Sequence, residues 1–379
     1  MVRMIYKMPL TTRSFLPFVL AGVSVGFTGV AVLPANAAAP DSALTQAKQS
    51  VVKGLNYLKR IQEKDGSWSE YPAITALATA AFLRNGRTES KNPEVASAIQ
   101  YILRSAKPSG AIYSDANPAT ALPNYNTCLC LMALSLTHNP AYKPIIQKAQ
   151  KYLETSQFDE GEGVSVSDPM YGGIGYGSKP DRPDLSNMQM ALESLKDSGE
   201  PGNAPIWKKA IVFLQRVQNR KESNDQAWAK EGPDDGGFIY DSKGRTENKS
   251  GGAYASMGTM SYAGLKSYLY CGVSKTDPRA QSAWSWIRGH YSVTENPGMG
   301  DMSLYYYYHT MAKTLNVYGQ KVVKDSKGGS HDWAKELSAQ IVGQQKPDGA
   351  WFNTNARFRE NEPALVTSYT LIALSYCVK

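Results

Sequence analysis

Two segments far apart in the chain read as copies of one another: GLNYLKRIQEKDGSW (54–68) and ELSAQIVGQQKPDGAW (336–351). In each, apolar residues recur at helical spacing up to a Gln, and Asp-Gly-x-Trp begins three residues later. The Asp-Gly pair supplies a turn and the left-handed backbone position that stops a helix. Weaker copies are AIQYILRSAKPSGAIY (98–113), AQKYLETSQ leading to YGGIGYG (171–177), and AIVFLQRVQNR leading to DGGFIYD (235–241). A further copy, AQSAWSWIRGHY, runs to NPGMG (296–300). After every such turn comes a second helical segment, richer in small and apolar residues, predicted to begin near Ala73, Tyr125, Leu185, Ser256, Ser303 and Ala364.

The first helix of each pair carries its Lys, Arg, Glu and Gln on one stripe, while the second is apolar nearly all round. A helix apolar all round is buried. Alternation of half-wet and buried helices therefore predicts two concentric layers with the second helices inside. The expected fold is all-α: an α/α toroid of six helical hairpins over residues 43–379. The last pair keeps a full Asp-Gly-x-Trp instead of a polar capping helix, which favours a closed ring over an open solenoid.

The first 37 residues have a different character. Arg3, Lys7 and Arg13 precede an apolar run from Ser14 to Leu33, and Ala35-Asn36-Ala37 fits a signal-peptidase site. Residues 1–37 are expected to be a signal peptide exporting the toroid to a periplasmic or secreted location. An uncleaved run of this length would instead anchor it at a membrane. The net charge of +8 is spread among acidic residues, and no nucleic-acid-binding motif occurs. Cys128 and Cys130 would point away from each other on a helix, so they do not bond together; free buried thiols or disulfides elsewhere both stay open.

The pattern of helix, Gln, Asp-Gly-x-Trp and apolar helix resembles the prenyltransferase/squalene oxidase repeat. That repeat is shared by squalene–hopene cyclases and the β subunits of protein prenyltransferases. Gln62 with Asp65-Gly66 and Trp68, and Gln345 with Asp348-Gly349 and Trp351, carry the likeness best, and GGIGYGSKPDRPDLSNMQMALESL (172–195) is similar to the superfamily's Gly-rich turn and inner helix. The resemblance implies a central cavity for an isoprenoid or other amphiphile. It also implies cyclase-type isomerase or lyase chemistry if the protein is an enzyme.

The family's catalytic signatures are incomplete. Class II cyclases protonate an alkene or epoxide with Asp-x-Asp-Asp at an inner-helix start, and this chain has none. Asp184 stands at the matching position, with Asp181 nearby and Asp234-Asp235 in another Gly-rich turn. Asp184 reads equally well as a helix cap facing the dipole. The prenyltransferase zinc set of Asp, Cys and His is broken as well, because Asn126 stands where the His would be. No cofactor is expected, and protein prenylation is not the expected activity. His309, eight residues after Asp301, reads as a lone ligand, a hydrogen-bonded core histidine or a proton-transfer group.

Helix geometry places Tyr305 and His309 on one face, with Tyr308 adjacent, and turns Tyr306 and Tyr307 elsewhere. The tyrosines either line the cavity or pack between the layers with each hydroxyl on a backbone group. Six inner-helix N-termini should ring one opening, because every Gly-rich turn joins an outer C-terminus to an inner N-terminus. Asp184, Asp301 and His309 are thus the expected catalytic residues. Tyr305, Tyr308, Asp181, Asp234, Asp235 and Glu362 are the expected ligand contacts. Rival readings are a non-catalytic binding or scaffold toroid and a secreted polysaccharide-active toroid. A dry aromatic cavity would favour the isoprenoid.

Overall fold

A computed structural model describes residues 42–378, apart from 179–180 and 249–250. The expected signal peptide lies outside the described residues. The outer layer consists of α1 (Ser42–Arg60), α3 (Pro93–Arg104), α5 (Lys143–Glu154), α7 (Pro205–Arg216), α10 (Pro278–Gly289) and α12 (Trp333–Gly343). The inner layer consists of α2 (Pro72–Arg84), α4 (Pro123–Leu136), α6 (Leu185–Asp197), α9 (Gly258–Tyr270), α11 (Leu304–Tyr318) and α13 (Pro363–Cys377). Each inner helix packs on the next around the ring, and α13 packs back on α2. The six expected pairs and their closure are present. A one-turn helix, α8 (Ala227–Glu231), interrupts the connection before α9. Among the described residues, the departure from an all-α reading is a short antiparallel hairpin of β1 (Val322–Lys324) and β2 (Ser330–Asp332).

The repeated residues explain why the hairpins form a ring. Trp68 and Trp351 are fully buried, and their indole N–H groups bond the carbonyls of Leu58 and Ile341 on their own outer helices at 2.9 and 2.8 Å. Their backbone N–H groups bond Thr75 and Thr367 of the following inner helices, both at 3.0 Å. One residue thereby joins the two layers of a pair. The Gln joins neighbouring pairs. The Gln62 amide donates to Gly66 at 2.9 Å and to Glu94 of the next outer helix at 2.8 Å. Gln157 and Gln218 repeat the arrangement with Gly172 and Ile206, and with Gly236 and Arg279. Gln345 bonds Gly349 at 3.0 Å and, across the seam of the ring, Ser50 of α1 at 2.9 Å.

Glycine in these turns answers two demands at once. Gly349 has φ +97°, and a Cβ there would lie 2.5 Å from the Lys53 carbonyl of α1. Only glycine accepts that conformation cheaply while letting a neighbouring backbone come so close. Replacing Gln345 by Ala should remove its bonds to the Gly349 and Ser50 carbonyls, leave the Ser50 hydroxyl without its Gln345 acceptor, and cost about 1–3 kcal/mol. Urea unfolding checks this, and an unchanged midpoint would show that the seam does not depend on Gln345.

The four cysteines are free, and Cys128 and Cys130 are buried. Burial holds both of their thiols up, that of Cys128 at about 12.

Candidate functional site

The first turns of all six inner helices surround a cavity of about 220 Å³. Its wall is made from Tyr71, Tyr125, Tyr176, Tyr240, Tyr306 and Tyr369, together with Met190, Met257, Met260 and Met299. Ile74, Leu122 and Leu365 add aliphatic surface. Unbranched, polarisable Met side chains adapt to irregular apolar shapes, and tyrosine rings give flat apolar surface with a polar tip. Phe358, which is 46% exposed, and Arg359 stand at the edge where the cavity meets solvent.

That edge belongs to a strap, residues 353–362, leading into α13. Phe358 and Arg359 both have left-handed φ, +57° and +62°. Two consecutive non-glycine residues in this region reverse the chain at a conformational cost. One ion pair ties the strap to the rest of the chain, and another forms within it. Arg357 pairs with Glu247 at 2.6 Å. The Arg359 guanidinium pairs with Glu362 at 2.6 Å and lies 5.1 Å from the centre of the Tyr71 ring.

The reversal turns Glu360 inward, where it is 1% exposed and lines the cavity. Its carboxylate accepts the Tyr306 backbone N–H at 2.8 Å and the Asn353 side-chain amide at 3.0 Å, and the N–H groups of Leu304 and Tyr305 face it as well. Burial raises its pKa and these donors only partly offset it, so the carboxyl is pushed up to about 7. Thr259, also in the wall, has a buried hydroxyl oxygen with no hydrogen-bond partner among the described residues.

The residues expected from the sequence are not brought together here. Asp184 is buried as the N-cap of α6, accepting from the Asn187 backbone N–H at 3.0 Å, the Asn187 amide at 2.8 Å and the Ser186 hydroxyl at 2.5 Å. Burial raises its pKa against those donors. Ser186, not Asp184, reaches the cavity wall. Asp301 is exposed and accepts from the Asn355 amide at 3.2 Å, tying its turn to the strap. Asp181 closes its own turn through the N–H groups of Gly177 and Arg182. Asp234 and Asp235 border a second, surface groove, where Asp235 bonds Ser256 and the Trp286 indole. Glu362 receives Ser69 and Arg359 at the strap's foot.

The tyrosine orientation is corrected. Tyr306, expected to turn away, lines the cavity, and Tyr305 and Tyr308 pack edge-to-face with each other outside it. Tyr307 and Tyr308 donate to the carbonyls of Ser292 and Val293 at 2.7 and 2.9 Å, so those phenols pack between the layers. The inward face of α11 is Tyr306, His309 and Lys313, at spacings of three and four. His309 is buried behind the wall, with its ring centre 5.0 Å from that of Tyr369 and its Nδ1 unbonded among the described residues. Burial and the Lys313 ammonium hold it neutral, well below the ordinary histidine range. Among the described residues, no group of three or more His, Cys, Asp or Glu side chains is placed to hold a metal ion.

A closed ring of helical hairpins with a cavity at the N-terminal end of its inner helices defines the fold class: an α/α toroid. Solved structures of type II terpene cyclase MstE from Scytonema share this fold. A variant in complex with geranylgeranyl dihydroxybenzoate superposes with a TM-score of 0.57 at 10% identity, over 90% of this chain and 99% of that one. The apo enzyme gives 0.55 at 12% identity, over 88% and 98%. By sequence, no protein-family model and no curated protein matches the chain.

Proposed function

We propose that the chain is a cyclase-type toroid that takes an isoprenoid, or an amphiphile of comparable shape, into the tyrosine- and methionine-lined cavity. The observation that carries this reading is the wall itself. Tyrosine rings, methionine and aliphatic side chains dominate it, with few polar groups, and Glu360 and Glu247 are its carboxyl groups. Ligand sites commonly combine such an apolar lining with a few polar groups that set orientation. The shared fold supports the same reading, since MstE is a terpene cyclase solved with a geranylgeranyl compound as substrate. A polysaccharide site would need a polar groove with paired, solvated carboxylates, and a scaffold needs no cavity. Any turnover would require a group that exchanges a proton with the ligand, and Glu360 is the wall carboxyl with a pKa near neutrality.

The test is binding of geranylgeraniol to the purified protein, followed by native mass spectrometry and calorimetry. Met190→Trp should fill the cavity from α6 and weaken binding more than about tenfold. Its stability should fall by no more than about 1–3 kcal/mol, the usual effect of overpacking. Equal affinity in the folded variant and the unaltered protein would place the ligand elsewhere and reject this cavity as its site.

A further inference from the structure

Glu360 is a buried carboxyl without a cation of its own. The two arginines on the same strap are committed elsewhere, Arg359 to Glu362 and Arg357 to Glu247. Among the described residues, Glu360 forms no ion pair; its partners are amide donors, which satisfy lone pairs without supplying a full positive charge. A carboxylate taken out of water in this way is costly, and a mobile cation would relieve that cost.

The tyrosines supply the second half of a cation site. Tyr306 and Tyr369 have ring centres 5.6 Å apart, Tyr125 and Tyr176 6.0 Å, and the hydroxyls of Tyr125 and Tyr369 approach to 3.4 Å. These four rings therefore form one contiguous cluster on the wall shared with Glu360. Two other tyrosines of the same wall already carry guanidinium groups, Tyr71 under Arg359 and Tyr240 under Arg245, each at 5.1 Å from the ring centre. Aromatic rings clustered beside a carboxylate are the arrangement that recognises ammonium groups.

We propose that the cavity selects an amphiphile whose polar end is a cation of the ammonium class, with Glu360 as counter-ion and Tyr125, Tyr176, Tyr306 and Tyr369 around the charge. The hydrocarbon part lies against Met190, Met257, Met260 and Leu365. This rests on the reading that the cavity takes an amphiphile, and adds the charge of its head group.

The linkage follows from the acid's position near neutrality. A cation requires the carboxylate, so below about pH 7 a proton must leave before it binds, and affinity falls about tenfold per pH unit. Above that pH the dependence flattens. Tyr305 and Tyr308 of α11 and Tyr369 of α13 are held neutral by burial, and on the strap Arg359 is paired with Glu362 and Arg357 with Glu247.

Calorimetry with decyltrimethylammonium, decanol and decanoate, each below its micelle-forming concentration and between about pH 5.5 and 8.5, tests the proposal on the full chain. At pH 8 the ammonium compound should bind about ten- to a hundredfold tighter than decanol, and decanoate weakest. The advantage should decline with acidification, while decanol binding stays flat. Glu360→Gln should abolish both the preference and its pH dependence. Glu360 also caps α11, so that variant is destabilised, and the pH profile of the unaltered protein decides the matter by itself. Decanol binding as tightly as the ammonium compound, or a preference that ignores pH, overturns the charge selectivity alone. Failure of all three probes to bind overturns the amphiphile reading with it.

Discussion

Glu193→Gln should destabilise the fold by about 3–5 kcal/mol at pH 7, the scale for removing one partner from a buried ion pair. Glu193 of α6 receives Lys266 of α9 at 2.5 Å and also Lys313 of α11, and all three side chains are almost fully buried. They lie towards the C-terminal ends of the inner helices, opposite the cavity mouth. Six helix C-termini converge there with partial negative charge, which favours the extra ammonium. Burial pushes the Glu193 carboxyl up, and the two ammonium groups more than reverse it, leaving it well below the usual carboxylate range. Burial pulls Lys313 down to about 8 even with Glu193 beside it.

The pH dependence of that loss has a definite sign. Without Glu193 the Lys313 pKa must drop further, because the carboxylate is what raises it. The variant can then shed a proton in its folded state, which limits the loss and makes it shrink as pH rises towards 9. In the unaltered protein, a folded lysine near 8 against an unfolded value of about 10.4 means the unfolded chain binds more protons between those values. This group therefore adds stability as pH rises through that window. The Glu193 contribution has the same sign in a lower window: its carboxyl is held well below the usual range, so the stability it adds is present at neutral pH and lost only in acid. Urea unfolding of both proteins at pH 7 and 9 gives the comparison. A loss below about 1 kcal/mol at pH 7 would mean the two lysines find water or another acceptor.

The ring was legible in the sequence because its construction is periodic. The Gln, the turn glycine and the Trp recur, and each makes the same bonds in each copy where it occurs, as Gln62 and Gln345 do. Periodicity also marked the inner helices, since α13 is buried at every position from Ala364 to Ser375. The site was less legible for the same reason. A helix apolar all round has no polar stripe to set its phase, so the inward face of α11 could not be read from Tyr305–Tyr308 alone. Lys313 held the missing clue: a lysine inside a buried helix must point to a carboxylate, and with Tyr306 and His309 it marks the true face. Glu360 was hidden differently. Its inward direction depends on the left-handed Phe358 and Arg359, a reversal with no glycine to announce it. Glu362, two residues on, had the better helix-start position and meets Ser69 and Arg359 at the rim.

Trp351→Ala should cost about 3–5 kcal/mol, and its effect should exceed that of a cavity inside one hairpin. The Trp351 ring is fully buried at the point where the last pair meets the first. Its indole bonds Ile341 of α12, its backbone bonds Thr367 of α13, and its ring lies so close to Gly54 of α1 that a Cβ there would come within 2.7 Å. The residue thus ties three helices, and truncation removes the ring's dispersion contacts with α1 and α12. Trp351→Phe keeps most of the ring but removes the indole bond to the Ile341 carbonyl, which retains the Gln344 backbone N–H, so a loss of only about 1 kcal/mol is expected. Trp68 makes the matching bonds within the first pair, and Trp68→Ala provides the reference for a wall that is not the seam. If closure couples the ends, Trp351→Ala keeps a single unfolding transition with a lower midpoint. An open array would instead let the terminal pair melt separately. Coincident fluorescence and circular dichroism transitions in urea, displaced by the expected amount, support the closed ring. A separate early transition, or a loss under 1 kcal/mol, would show that the seam contributes little and that the hairpins hold together without it.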